Sequence, residues 1–411
     1  MTTRPHDLVV FGATSFVGSI LCAELLAQFG VAGTLRWAAA GRSREKLERL
    51  RTQLGDAAAQ LPLLVADATD EASLARLCSG TRVVVSTVGP YALHGEGMVR
   101  ACVTAGTDYC DLTGEPQWIH RMIGRYQDDA RASGARLVPC CGFDSIPSDL
   151  GVLFLQRESL RRFGRPCSRI RMRVRAMRGG ISGGTAASLL NVLREAAGNP
   201  ALRRQMADPY LLCPARDRPT QRQPNVRGAQ FDADAGAWVA PFVMSAINTR
   251  VVLRSNALLD YPYGRDFTYD EAVATGRGLK GRLSATGLTA ALASLAIAGA
   301  LPPARWALER FVFPAPGEGP DPEARRRGFF DLRFTGTTAE GDAMRARVTG
   351  DRDPGYGSTA RMLCQAAACL AQDVGRNDFP GGFWTPATLF GERLIERLRA
   401  HAGIGFEILD D

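Results

Sequence analysis

Residues 7–18 read DLVVFGATSFVG. Leu8, Val9, Val10 and Phe11 form an unbroken apolar run, the pattern of a strand buried on both faces. Gly12 follows where the chain must turn tightly. Phe16 to Phe29 then reads as a helix, with Val17, Ile20, Leu21, Leu25 and Phe29 on its apolar side. Strand, glycine turn and helix in that order aim the amides of a helix N-terminus at an anion, which is how a dinucleotide's pyrophosphate is held. Gly12, Thr14, Ser15, Phe16, Val17 and Gly18 would line that cradle. Ser15 stands where the G-x-x-G-x-x-G form has glycine; its backbone N–H survives, and its hydroxyl could reach a phosphate. Taken alone, the loop also reads as an ordinary strand–helix turn.

The next segments favour the nucleotide. Leu35 to Ala40 is a second apolar strand, ending in Gly41-Arg42-Ser43. An acid at that strand end would bind the ribose 2′-hydroxyl of NAD; Arg42 stands there instead, suited to the 2′-phosphate of NADP(H). Ser43, Arg44 and Lys46 lie close by. Strands follow at Pro62–Ala66, Arg82–Ser86, Tyr109–Leu112 and Arg136–Cys140. Helices at Arg44–Leu54, Glu71–Cys78, Gly95–Ala105 and Gln117–Ala132 separate them. Six strands with crossovers give an α/β domain of the Rossmann type, a doubly wound parallel sheet. Asp67 ends the third strand, where a carboxylate can accept the adenine amino group or cap the next helix. Val88, Gly89 and Pro90 leave the fourth strand at the carboxyl edge, where ligands bind.

Composition bounds the rest. A chain of 411 residues is too long for one core, so two domains are expected. With 45% hydrophobic and 22% charged residues it has enough both to bury and to solvate. The net charge of +8 is almost all arginine, spread along the chain without a nucleic-acid motif. The ten cysteines form no C-x-x-C and no Cys/His spacing that suits a metal. No signal-peptide pattern opens the sequence, so a reducing cytoplasm is the simplest expectation.

After Gly142 the pattern changes. Gly142 to Asp149 is a polar turn before a helix at Leu150–Phe163, and Arg169–Ala176 alternates like a half-exposed strand. Gly179-Gly180-Ile181-Ser182-Gly183-Gly184-Thr185 is a second glycine-rich passage into a helix, either a cradle for an anionic or carbonyl group or a hinge. Asn199–Gly236 has little periodicity, and Thr249–Leu253 reads as a strand. Phe329–Phe334 and Ala343–Val348 read as a hairpin, and Thr359–Ala371 with Thr385–Leu398 as a final helix pair. The expected organisation is a nucleotide domain over 1–142, an α+β domain on a mainly antiparallel sheet over 143–356, and C-terminal helices over 357–411 that return to the first domain. Leu283–Leu301 is uncharged over nineteen residues. It fits a helix buried in the protein or in an oligomer interface, a helix on a membrane surface, or a span.

GATSFVG (12–18), AAAGRSREKL (38–47), STVGPYALHGEGMVRAC (86–102), AGTDYCDLTGE (105–115), CGFDSIPSDLG (141–151), GGISGGTAAS (179–188), GDRDPGYGSTARML (350–363) and TPATLFGERLIERL (385–398) together carry a family resemblance. The chain resembles the saccharopine dehydrogenase-like oxidoreductases, nearest the trans-acting enoyl reductase branch. That resemblance implies an NADP-type first domain, a second domain over the nicotinamide, and an unsaturated polyketide- or lipid-like acyl substrate presented by a synthase or carrier. Such a reaction needs a proton source and a donor for the enolate oxygen. Tyr109, Asp111, the Asp144-Ser145 turn, and Asp353 with Tyr356 are the candidates. Two rival readings are a saccharopine-type enzyme acting on a C–N bond of an amino acid, and a non-catalytic, lipid-associated scaffold that keeps the nucleotide fold.

Overall fold

The computed structural model describes residues 4–180, 182–216, 218–315 and 317–410; Ile181 of the second glycine-rich passage lies outside them. Two seven-stranded sheets organise the chain. The first contains β1 (His6–Phe11), β2 (Trp37–Gly41), β3 (Leu63–Val65), β4 (Thr81–Ser86), β5 (Asp108–Asp111) and β6 (Arg136–Val138). Their order is β6-β5-β4-β1-β2-β3, all parallel, with Val9 opposite both Ala38 and Val84. Strand order reverses between β1 and β4, so the crevice of a doubly wound sheet opens at their carboxyl ends. Leu8, Val9, Val10 and Phe11 are buried, as a strand covered on both faces requires.

The second sheet holds β7 (Cys167–Arg178), β8 (Gln230–Asp232), β9 (Ala237–Pro241), β10 (Thr268–Gly276), β11 (Phe329–Thr338), β12 (Ala343–Gly350) and β14 (Ile404–Leu409). Its order is β14-β12-β11-β7-β10-β9-β8, antiparallel except for the parallel pair β7–β10. Three of the arginines that alternate along β7 are paired with aspartates: Arg169 and Arg171 reach Asp234, and buried Arg173 pairs with Asp232 at 2.7 Å and Asp270 at 2.6 Å. The chain then recrosses to the first sheet. The Thr359–Gln372 helix packs on the Phe16–Phe29 helix, with Arg361 3.4 Å from Glu24. β13 (Gly382–Phe383) adds a seventh strand beside β6.

Four expectations need correction. Thr249–Leu253 lies within the Ser245–Leu258 helix, not in a strand. Ile247 to Asn256 are all buried, the polar Asn248, Arg250 and Arg254 among them, so no solvent-facing side separates polar from apolar positions, and the β-branched run mimics a strand. The chain does not end in a helix pair: Gly391, at φ +57, separates the short Pro386–Leu389 helix from Glu392–His401, and β14 follows. Asn199–Gly236 is partly regular, with a Pro200–Ala207 helix and β8. The helix after the Gly142 turn also begins earlier than read, at Ile146.

Leu283–Leu301 falls in a helix spanning Gly278–Ala300. It is the one helix among the described residues long and apolar enough to cross a membrane by length and composition alone. Burial within the chain does not describe it: only Gly281, Ala285 and Gly299 are buried.

Candidate cofactor and substrate site

The turn after β1 is held by close packing. A Cβ on Gly18 would sit 2.2 Å from the Gly12 carbonyl oxygen, and one on Gly12 would sit 2.7 Å from Val88. Gly12 also has φ +87, which favours glycine. Ser15 is the N-cap of the Phe16–Phe29 helix: its Oγ accepts the Gly18 N–H at 2.9 Å and lies 2.9 Å from Thr87 Oγ1. Thr87 donates in turn to the Gly12 carbonyl at 2.9 Å. The serine that departs from the glycine pattern thus ties the loop to the end of β4. The first-turn amides of Phe16 and Val17 precede any intrahelical acceptor and point along the helix axis, as a pyrophosphate requires. Together with the close glycine packing, this cradle fits a dinucleotide.

Arg42 leaves β2 exposed and makes no hydrogen bond or salt bridge among the described residues. Arg44 is paired with Glu48 at 2.8 Å, and Ser43 caps the following helix; Arg42 is in no close ion pair, its charge acting at longer range on Asp67. Thr14 is exposed on the same side, its Oγ1 3.6 Å from where a Gly41 Cβ would lie. Asp67 accepts the Thr69 amide and hydroxyl, which hold its carboxyl below the usual range. The helix cap there is Asp70, not Asp67.

Val88, Gly89 and Pro90 lie beside this loop at the crevice. Glu115, whose role the sequence reading missed, accepts the amides of Tyr91 and Ala92, both at 2.9 Å. It also bonds Ser188 of the Gly183–Gly198 helix, and burial pushes its carboxyl up. One carboxylate thereby fixes the segment after β4 and ties it to a helix of the second half. The AGTDYCDLTGE stretch (105–115), which ends in Gly-Glu, was the available signal; the Ser188 partner lies far away in sequence.

A cleft of about 450 Å³ adjoins Pro90. Pro90, Leu93, Ala186, Ala187, Leu190 and Phe313 give it apolar walls, and Arg194, Arg305, Asn191 and Glu309 supply its polar groups.

The candidate acids separate by access. Tyr109 and Asp111 are fully buried and bonded to each other at 2.8 Å. Asp111 also accepts the amides of Thr113 and Cys140, stapling β5 to the end of β6, and burial pushes it up to about 7. Tyr356 is buried too; it accepts the Ser182 amide, lies 2.9 Å from Thr185 Oγ1, and packs edge-on against Phe16 at 5.2 Å. Asp353 caps the Pro354–Ser358 turn and accepts the Gly180 amide at 3.1 Å. Asp144 differs from these. It is half-buried, and its Oδ2 would lie 3.2 Å from a Cβ on Gly114, so it sits where the chain leaves β5 and β6 at the sheet's carboxyl edge. Burial, then the nearby Glu271 carboxyl, push it up to about 7. Ser145 is buried beside it.

The second glycine-rich passage is not an open cradle. Ser182 caps its helix through the Thr185 amide. The amides of Gly180, Ser182 and Gly183 go to Asp353, Tyr356 and the Glu318 carbonyl.

Comparisons with known proteins agree with this arrangement. Residues 8–138 match the family model for the saccharopine dehydrogenase NADP binding domain. A Mycobacterium tuberculosis protein provisionally named a trans-acting enoyl reductase is 41% identical over 415 residues, covering 99% of this chain and 98% of its own. A Mycobacterium bovis protein named trans-acting enoyl reductase is 38% identical over 407 residues, covering 96% of each chain. Among solved structures, saccharopine dehydrogenase (L-Glu forming) from Saccharomyces cerevisiae aligns with a TM-score of 0.52 at 12% identity, over 98% of this chain and 100% of that one, a likeness of fold alone. The chain belongs to the saccharopine dehydrogenase-like oxidoreductases, and its first sheet is their NADP(H)-binding domain.

Proposed function

We propose that this protein reduces the carbon–carbon double bond of an α,β-unsaturated acyl thioester with NADPH, the acyl chain being presented by a separate synthase or carrier. The full-length likeness to proteins named trans-acting enoyl reductases carries the reading. The apolar cleft beside Pro90 supports it, because its walls suit an acyl chain better than a small polycarboxylate. In this reading the amides of Phe16 and Val17 hold the pyrophosphate, and Arg42 takes the 2′-phosphate. The Thr87–Pro90 segment, fixed by Glu115, positions the nicotinamide end. When bound, the reduced nicotinamide supplies the hydride that adds to the β-carbon. Asp144, protonated up to about pH 7, gives the proton to the α-carbon and is reprotonated from solvent. Asp111 and Tyr109 brace the strand ends, and Tyr356, packed on Phe16, braces the second glycine-rich passage.

The test is NADPH consumption with a panel of enoyl, keto and imine substrates, with the product identified by mass. The enoyl thioester should be saturated. Because the working form of Asp144 is the acid, the rate should be level below about pH 7 and fall above it. Asp144→Asn should cost about 10²-fold in rate, remove the pH limb, and leave NADPH binding intact. Turnover confined to imines, or a full rate in Asp144→Asn, would contradict the reading.

A further inference from the structure

From Arg277 to Phe313 the chain forms an arm. The Gly278–Ala300 helix lies along β9 and the Gly183–Gly198 helix, then doubles back through a Pro302–Ala307 helix and a π-helical turn at Leu308–Val312. Its outer side exposes large apolar side chains: Leu279 at 71%, Leu283 at 64%, Ile297 at 62%, Trp306 at 61%, Phe311 at 74% and Val312 at 63%. A run this exposed and this apolar marks a surface that something covers. Trp306 and Phe311 pack edge-on at 5.7 Å, so the aromatic end is a built feature.

The charges choose the occupant. Arg277, Lys280 and Arg282 stand at the start of the arm, Arg305 and Arg310 at its end, and Glu309 is its only acid. Among the described residues none of these five cations is in a salt bridge. A helix that is uncharged from Leu283 to its end, with cations in its first turns and beyond its last, and with aromatics at one end, is the arrangement of a helix lying in a lipid interface. A second copy of the chain seated on this face would oppose one cationic set to another. From these observations we infer that the 277–313 arm docks the protein on an anionic lipid surface. The inner side of the same arm supplies Arg305, Glu309 and Phe313 to the cleft beside Pro90, so the docked face and the cleft share one wall. The docking stands apart from the enoyl reading and holds whatever the cleft reduces.

Co-sedimentation of the full chain with phosphatidylcholine vesicles, with and without phosphatidylglycerol, tests it. Binding should require the anionic lipid and fall with added salt. Arg282→Glu and Arg310→Glu should each weaken it by about fivefold or more, and Leu283→Asp with Phe311→Asp should abolish it. All four positions are exposed, so melting temperature and NADPH affinity should match the wild type; turnover of a short, water-soluble enoyl thioester without vesicles reports on the enoyl reading separately. No binding to anionic vesicles, or binding untouched by Leu283→Asp with Phe311→Asp, would overturn the proposal. So would a concentration-dependent dimer lost in those variants without any vesicle binding, since the face would then belong to a second copy.

Discussion

Two stretches of this chain carry the same outline, a strand, a cluster of glycines with a serine, and a helix: Gly12–Gly18 after β1 and Gly179–Gly184 after β7. In both, the serine caps the helix, Ser15 through the Gly18 amide and Ser182 through the Thr185 amide. In both, some glycines are fixed by contact: a Cβ on Gly18 would meet the Gly12 oxygen at 2.2 Å, and one on Gly183 the Ala315 oxygen at 2.2 Å. They differ in where their amides go. The first loop leaves its helix-start amides at the crevice of a parallel sheet. The second spends its amides on Asp353, Tyr356 and Glu318, and becomes a joint between β7, the Pro354–Ser358 turn and the loop after the arm. Glycine content marks close approach of backbone; the free amides decide whether an anion can enter.

The comparison breaks most visibly at Gly18. Gly18→Val should cost at least about 3 kcal/mol of stability through overpacking and abolish NADPH binding in a fluorescence titration. If binding survives, the first loop is not the cradle. Arg42→Asp removes the 2′-phosphate partner and adds repulsion. It should lower the NADPH-over-NADH preference by tenfold or more, about 1.5–3 kcal/mol, with the melting temperature unchanged because Arg42 is exposed and unpaired.

Tyr356→Phe strips the Ser182 amide of its acceptor and should cost about 1–3 kcal/mol in thermal or denaturant unfolding. NADPH affinity should stay within about twofold, about 0.4 kcal/mol, since the Tyr356 hydroxyl bonds Ser182 and Thr185 of the second passage and nothing in the first loop. A large loss of affinity would make the second passage part of the nucleotide site. The smallest effect belongs to Gly184→Ala: a Cβ there would meet only Ser182 Oγ at 3.7 Å, so stability should hold or rise by about 0.4–1 kcal/mol.

The first sheet was legible because its signals are local. Apolar runs, glycine turns and helix caps follow one another within a few residues, and six of its seven strands read through with shifts of one or two positions; the short Gly382–Phe383 strand, which comes back from the far end of the chain, did not. The second half was less so. β14 pairs with β12 through a return of more than fifty residues, and nothing near Ile404 announces that partner. The Ser245–Leu258 helix is covered on all sides, which erases the periodicity by which helices are read. At the site, Ser15 looked like a defect until Thr87, 72 residues on, supplied its partner. Tyr109 and Asp111, candidates for chemistry by their place at a strand end, lie fully buried and bonded to each other, while Asp144 owes its raised carboxyl in part to Glu271, 127 positions away in sequence. Local pattern names elements; long-range contact assigns tasks to their side chains.

Backbone amide hydrogen exchange on the full chain, with and without saturating NADPH, compares the two glycine passages in a single experiment. The account requires strong slowing at 12–18 and 86–92, weaker slowing at 42–46, and exchange at Gly180, Ser182, Gly183 and Thr185, whose amides are already bonded, that is slow and does not change. Slowing confined to 179–185, with 12–18 unmoved, would contradict it.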